Sequence, residues 1–127
     1  MHRLLTFGLL LFLAACAQPA PTGQRFVVYF DPSSAGLMDS AKVVVAAAAD
    51  WATKHPDMPV VVAVYADPYG SKQANDDFTR LRAKVVIDAL VGDGLPAARI
   101  QQRDVGSVNF QTDSHESRRA EITIGSP

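Results

Sequence analysis

Two residues carry most of the chemistry legible in this chain. The segment Ser71–Val91 has the apolar spacing of a helix. At about 100° per residue, Ala74, Phe78, Leu81, Val85, Val86 and Ala89 form one apolar arc. Arg82 falls inside that arc, whereas Arg80, Lys84 and Asp88 fall on the opposite, wet side. A guanidinium directed at a core is costly unless it meets a carboxylate or an anionic ligand. Asp67 lies fifteen residues upstream, just past a strongly apolar run, and is the natural partner or co-ligand of Arg82. Asn75 precedes Arg82 by seven residues, which puts it about 20° away on the same face and about 10 Å along the axis. Asp67, Asn75 and Arg82 can therefore converge on one pocket beside a helix end. Such a pocket suits a small zwitterion, with Asp67 for an ammonium and Arg82 plus backbone amides for a carboxylate. A structural ion pair that locks strand to helix is the competing reading of the same residues.

The elements that must hold these residues follow from local pattern. Arg25–Phe30 is rich in β-formers and reads as a first strand. Asp31-Pro32-Ser33-Ser34 breaks it. Asp39 or Ser40 can cap a helix that runs to His55, with Ala41, Val44, Val45, Ala48, Trp51 and Ala52 on its apolar face and Pro56 ending it. Pro59–Ala66 is a continuous apolar run, the mark of a strand buried inside a sheet. Asp67–Ser71 is a turn, and the helix bearing Arg82 stops at Gly92. Ile100–Val105 reads as a third strand, Gly106–Ser117 as polar and irregular, and Ala120–Ile124 alternates as a closing strand. Two strand–helix–strand units predict an α/β domain with both helices packed on one sheet.

Composition narrows the classes further. The chain has 127 residues, room for one small domain, with 12 basic and 13 acidic side chains. It has no basic run interleaved with aromatics, so nothing points to nucleic acid. His2, His55 and His115 are scattered, and no nucleophile–base pairing or metal-ligand spacing can be built from them. The reading is non-catalytic, with no metal and no cofactor.

The first residues read as a targeting segment. His2 and Arg3 precede the apolar run Leu4–Leu13, which is too short to span a bilayer. Leu13-Ala14-Ala15-Cys16 resembles the bacterial lipoprotein box, which implies cleavage before Cys16 and thioether-linked lipid on that sole cysteine. Residue 17 is Ala rather than Asp, which in similar lipoproteins implies transfer to the outer membrane. The expected organisation is a signal peptide at 1–15, a lipidated tether at 16–24, rich in proline, and a domain at 25–126.

Five segments resemble the OmpA-like family. Asn75-x-x-Phe78-Thr79-x-x-Arg82-Ala83-x-x-Val86 is similar to its helix motif, and Asp67 stands where the family has its ligand-binding aspartate. Phe30–Leu37, Gly94–Ile100 and Ser117–Ile122 resemble its first-strand, third-strand and closing-strand signatures. The resemblance implies a βαβαββ sandwich of two helices on a small mixed sheet. It also implies non-covalent binding of peptidoglycan stem peptides, with Asp67 and Arg82 gripping diaminopimelate and Asn75 beside them by helix spacing; one of Arg118 and Arg119, with Arg119 the candidate, can add an anion contact, and a solvated pair at the start of an edge strand is the competing reading. Ala66 and Ser117 depart from the family's usual Thr and Asn. The expected protein is an outer-membrane lipoprotein that faces the periplasm and ties membrane to wall. An envelope protein–protein interaction module with a vestigial pocket is the alternative.

Overall fold

The computed structural model describes residues 16, 19, 22–108 and 114–126. The expected signal peptide and most of the tether lie outside these. Four strands form one mixed sheet: β1 (Gly23–Tyr29), β2 (Val60–Ala66), β3 (Ile100–Ser107) and β4 (Arg119–Gly125). Their order across the sheet is β1-β4-β2-β3. β4 runs antiparallel to both neighbours, and β2 pairs with β3 in parallel. Helices α1 (Asp39–Lys54) and α2 (Lys72–Gly92) pack on the sheet. This is the α/β arrangement with both helices on one sheet that the order of elements predicts, and the small mixed sheet is the one the family resemblance implies.

Burial explains the placement. β2 is an interior strand, and Val60, Val62, Val64 and Ala66 are buried on the helix side while Ala63 is buried on the other. That two-sided burial is why its sequence is an unbroken apolar run rather than an alternation. β4 does alternate: Ala120, Ile122 and Ile124 are sealed against the helices, and Arg119, Glu121 and Thr123 lie on the opposite face. α1 buries Ala41, Val45, Ala48, Ala49 and Ala52, a narrow stripe of mostly small side chains that brings the helix close to the sheet.

Several boundaries differ from the sequence expectation. β1 begins at Gly23, inside the expected tether, because the ladder with β4 extends to the Gly23–Gly125 pair. The residue capping α1 is Met38, with no side-chain cap bond, and Asp39 accepts from Lys42 Nζ instead. Ser71 caps α2, its hydroxyl accepting from Ala74 N–H. β3 continues to Ser107 through a bulge between Asp104 and Gly106. Ser114–Ser117 forms one helical turn, α3, in the segment expected to be irregular. The buried stripe of α2 is also rotated from the expected arc: Ala74 and Leu81 are exposed, and the inward row is Asn75, Thr79, Arg82, Ala83, Val86 and Leu90.

Arg99 closes the end of α1 from across the domain. Its guanidinium donates to the carbonyls of Ala52, His55 and Met58 at 2.5–3.2 Å. These include C-terminal carbonyls that a helix cannot satisfy internally. Arg99→Ala is expected to destabilise the domain by about 2 kcal/mol, read as an earlier urea midpoint with an unchanged slope.

Candidate functional site

The chain turns at Phe30 and again at Asp67, and both turns open at the same end of the sheet. Phe30 N–H donates to Arg118 O at 2.9 Å, extending the β1–β4 ladder to the point where Asp67 leaves β2. A cleft of about 280 Å³ forms there, lined by Pro32, Ser33, Asp67, Tyr69, Gly70, Asn75, Phe78, Arg82 and Arg118. The sequence candidates Asp67, Asn75 and Arg82 are thus brought to one place.

Arg82 points inward and is 2% exposed. Its partners are not those expected. Nε donates to Ser34 O at 2.8 Å and Nη2 to Asp31 O at 3.2 Å. The guanidinium carbon lies 5.1 Å from the Phe30 ring centre and 5.2 Å from that of Phe78. Two carbonyls and two aromatic faces therefore hold the cation. The carbonyls flank Ser33, whose φ of 53° lies in the left-handed region that non-glycine residues seldom adopt. Arg82 fastens the loop on both sides of that residue. Burial pushes the Arg82 guanidinium below its ordinary pKa, the positive charge of Arg118 adds to the shift, and Asp67 opposes it.

Asp67 is paired with Arg118 rather than with Arg82. Arg118 Nη1 donates to Asp67 Oδ2 at 2.8 Å, and Ser117 Oγ to Oδ1 at 3.3 Å. Arg118 Nε also donates to Phe30 O at 3.2 Å. The pair is largely buried, with side-chain exposures of 9% for Arg118 and 21% for Asp67. Among the described residues, the cleft brings together one carboxylate and two guanidiniums.

Asn75 ties the third side. Its Nδ2 lies 3.0 Å from each of Asp67 O, Tyr69 O and Ser107 Oγ. One amide thus pins the loop after β2 and joins it to the end of β3. Thr79 Oγ1 donates to Asn75 O one turn on.

Arg119 does not reach the cleft, which corrects the expectation for that residue. It lies on the opposite face of the sheet, over the Tyr65 ring at 3.8 Å, with Nε donating to Glu121 Oε1 at 2.9 Å. The groove-facing member of the pair is Arg118. Strand alternation carried back from Ile124, Ile122 and Ala120 reaches position 118, so the signal was in the sequence. Ser117 and the two loop carbonyls that hold Arg82 had no comparable signal. Among the described residues no group of three or more His, Cys, Asp or Glu side chains could hold a metal ion, and no helix is long and apolar enough to cross a membrane.

The Asp67–Arg118 pair is open to a double-mutant cycle. Asp67→Asn and Arg118→Gln are each expected to cost about 3 kcal/mol in urea unfolding, because each strands a largely buried charge. The double variant is expected to recover about 1–3 kcal/mol of their sum. Strict additivity would show that the two side chains are not coupled.

Comparison with known proteins completes the description. The family model described as "OmpA family" matches residues 29–123. Outer membrane protein A of Serratia odorifera is 43% identical over 58 residues, covering 46% of this chain and 24% of that protein. The peptidoglycan-associated lipoprotein of Agrobacterium fabrum is 27% identical over 79 residues, covering 62% of this chain and 45% of that protein. The chain therefore spans less than half the length of either relative. Its fold is similar to the crystal structure of the peptidoglycan-associated lipoprotein from Burkholderia pseudomallei, with a TM-score of 0.70 and 22% identity, over 78% of this chain and 89% of that one. Sequence match, strand order and helix packing agree: the chain belongs to the OmpA family.

Proposed function

We propose that the domain binds peptidoglycan without catalysis, by gripping the zwitterionic end of diaminopimelate in the Asp67–Arg82–Arg118 cleft. The observation that carries this is the convergence of one carboxylate and two guanidiniums on a cleft of about 280 Å³. The free end of diaminopimelate in a stem peptide presents an ammonium and a carboxylate on one carbon. The ammonium fits Asp67, whose oxygens already accept one bond each and retain lone pairs. The carboxylate fits Arg82. Nε and Nη2 of Arg82 are committed to carbonyls, and among the described residues Nη1 donates to none. The second guanidinium, on Arg118, biases the cleft toward the carboxylate end.

The groups need no rearrangement to act. Arg82 is held by Asp31, Ser34, Phe30 and Phe78, and Asp67 by Ser117 and Arg118. Rotamer freedom is therefore lost on folding rather than on binding. The cleft is open, so each contact is weak, and attachment of many copies to one polymer would supply the strength by avidity. Cys16, exposed and ahead of β1, is the proposed lipid attachment. Acylation there would hold the domain at the periplasmic face of the outer membrane, and the name of the Agrobacterium relative, a peptidoglycan-associated lipoprotein, supports this reading.

Co-sedimentation with isolated sacculi tests the proposal. Wild type is expected to pellet with walls whose stems carry diaminopimelate. It is expected to remain in solution with walls that carry lysine at that position, since lysine offers the ammonium without the carboxylate. Arg82→Lys keeps the charge but loses the planar fork, and is expected to weaken retention at least tenfold. A wild-type domain that stays in the supernatant with both walls would instead favour a protein-docking role.

A further inference from the structure

The sheet has a face that the proposed function does not use. Helices α1 and α2 pack on one side of it. On the other side, strand alternation and register place Arg25 and Val27 of β1, Glu121 of β4, Ala63 of β2 and Arg103 of β3 on one surface. Among the described residues, Arg25 and Arg103 are exposed cations with no hydrogen bond or ion pair. We propose that this face lies on the anionic phospholipid headgroups of the bilayer to which Cys16 is anchored. The inference rests on the acylation of Cys16 proposed above and goes beyond it, because an anchor alone sets no orientation for the domain.

Charge singles out this face. On the helices, Lys42, Lys54, Lys72, Arg80 and Lys84 each pair with an aspartate three or four residues away. On the open sheet face, the described residues are three arginines and one carboxylate, and that carboxylate is already engaged. Glu121 Oε1 accepts from Arg119 Nε at 2.9 Å, and Oε2 accepts from the Tyr65 hydroxyl at 3.3 Å. Arg25 and Arg103 are left to face outward. Three strand spacings of about 4.8 Å separate β1 from β3, so the two charges stand about 14 Å apart, far enough to engage separate headgroups.

The other side chains on this face suit the same occupant. Tyr29, 37% exposed, and the half-buried Val27 lie on it between the arginines and the edge of the sheet. A tyrosine ring is apolar along its body and polar at its tip, which matches the boundary between headgroups and water. Arginine stems cover apolar surface while their charged ends reach phosphate.

Chain length brings the face to the membrane. β1 begins at Gly23, seven residues after Cys16. Seven residues reach about 25 Å at full extension. A domain of about 100 residues has a radius of gyration of about 13 Å, so the anchored domain stays within about its own width of the bilayer. Docking is then intramolecular, and a few weak ionic contacts suffice. Arg25 stands two residues beyond the point where the chain enters β1. The cleft opens at the other end of the strands, where Tyr29 pairs with Arg119 and Asp67 leaves β2. It therefore stays uncovered when the sheet face is occupied.

Fluorescence quenching on the acylated chain, reconstituted in vesicles, tests this. Cys16 is the sole cysteine, and acylation consumes its thiol. Gln101→Cys on the open sheet face and Val43→Cys on the exposed side of α1 therefore each take a single fluorophore. The vesicles contain phosphatidylethanolamine and phosphatidylglycerol, with a trace of lipid carrying a quencher on its headgroup. The label at position 101 is expected to be quenched several times more strongly than the label at 43, and the two are expected to become equal in vesicles of phosphatidylcholine alone. Arg25→Gln combined with Arg103→Gln is expected to lower the ratio of docked to undocked domain about thirtyfold. Lysine at both positions keeps the charge and is expected to keep the domain docked, which separates loss of charge from loss of fold. Equal quenching of the two labels in the anionic vesicles, or quenching that survives the glutamine pair, would overturn the inference while leaving the anchor in place. A chain that carries no acyl mass and does not float with vesicles would overturn the anchor reading, and this inference with it.

Discussion

The structure at the open end depends on a single constraint: a guanidinium that is almost wholly removed from water must be satisfied at every step. Arg82 meets it through the carbonyls of Asp31 and Ser34 and the rings of Phe30 and Phe78. A carbonyl lone pair is a weaker acceptor for a cation than a carboxylate. The arrangement therefore leaves Arg82 with unspent attraction for an anion, and desolvation together with Arg118 increases it. Had Asp67 closed directly on Arg82, the charge would be neutralised and the cleft would have little to offer. Arg118 takes the carboxylate instead. The division of partners keeps both signs of charge available at one opening.

The same groups stabilise the fold and form the site. Asn75 links β2, α2 and β3 by one amide, and Arg118 links β4 to the ends of β1 and β2. Residues that would bind a ligand are thus fastened by the contacts that join the secondary elements. Such rigidity suits the proposed binding role. It also means that truncating a site residue perturbs folding, so substitutions that preserve charge or shape are the more informative.

Much of this was legible in the chain. The unbroken apolar run of β2, the alternation of β4 and the stop of α2 at Gly92 marked the element types, because burial on two faces, on one face or along a stripe leaves distinct periods. Arg82 stood out as a charge on an inward row. Its partner was misassigned, since sequence spacing gives proximity but does not choose between two nearby arginines for one carboxylate. The choice was set by tertiary geometry: Phe30 and Arg118 share a ladder position at the mouth of the sheet. Arg119 was favoured over Arg118 although strand alternation pointed the other way. The carbonyls of Asp31 and Ser34 carry no side-chain signature, and the turn that presents them depends on Ser33 in a left-handed conformation. The rotated stripe of α2 has a similar origin, since Asn75 and Thr79 are polar residues buried by hydrogen bonds that hydropathy cannot register.

Sequence match and fold place the chain in the OmpA family, and the cleft gives that membership a physical content for this domain. A crystal structure of the domain with meso-diaminopimelate tests the central claim most directly. The account predicts one ligand carboxylate within about 3 Å of Arg82 Nη1 and the ammonium within about 3 Å of an Asp67 oxygen, with Arg118 still bonded to Asp67. A ligand that binds away from the opening between Asp67 and Arg82, or one held there with its carboxylate turned from Arg82, would contradict it.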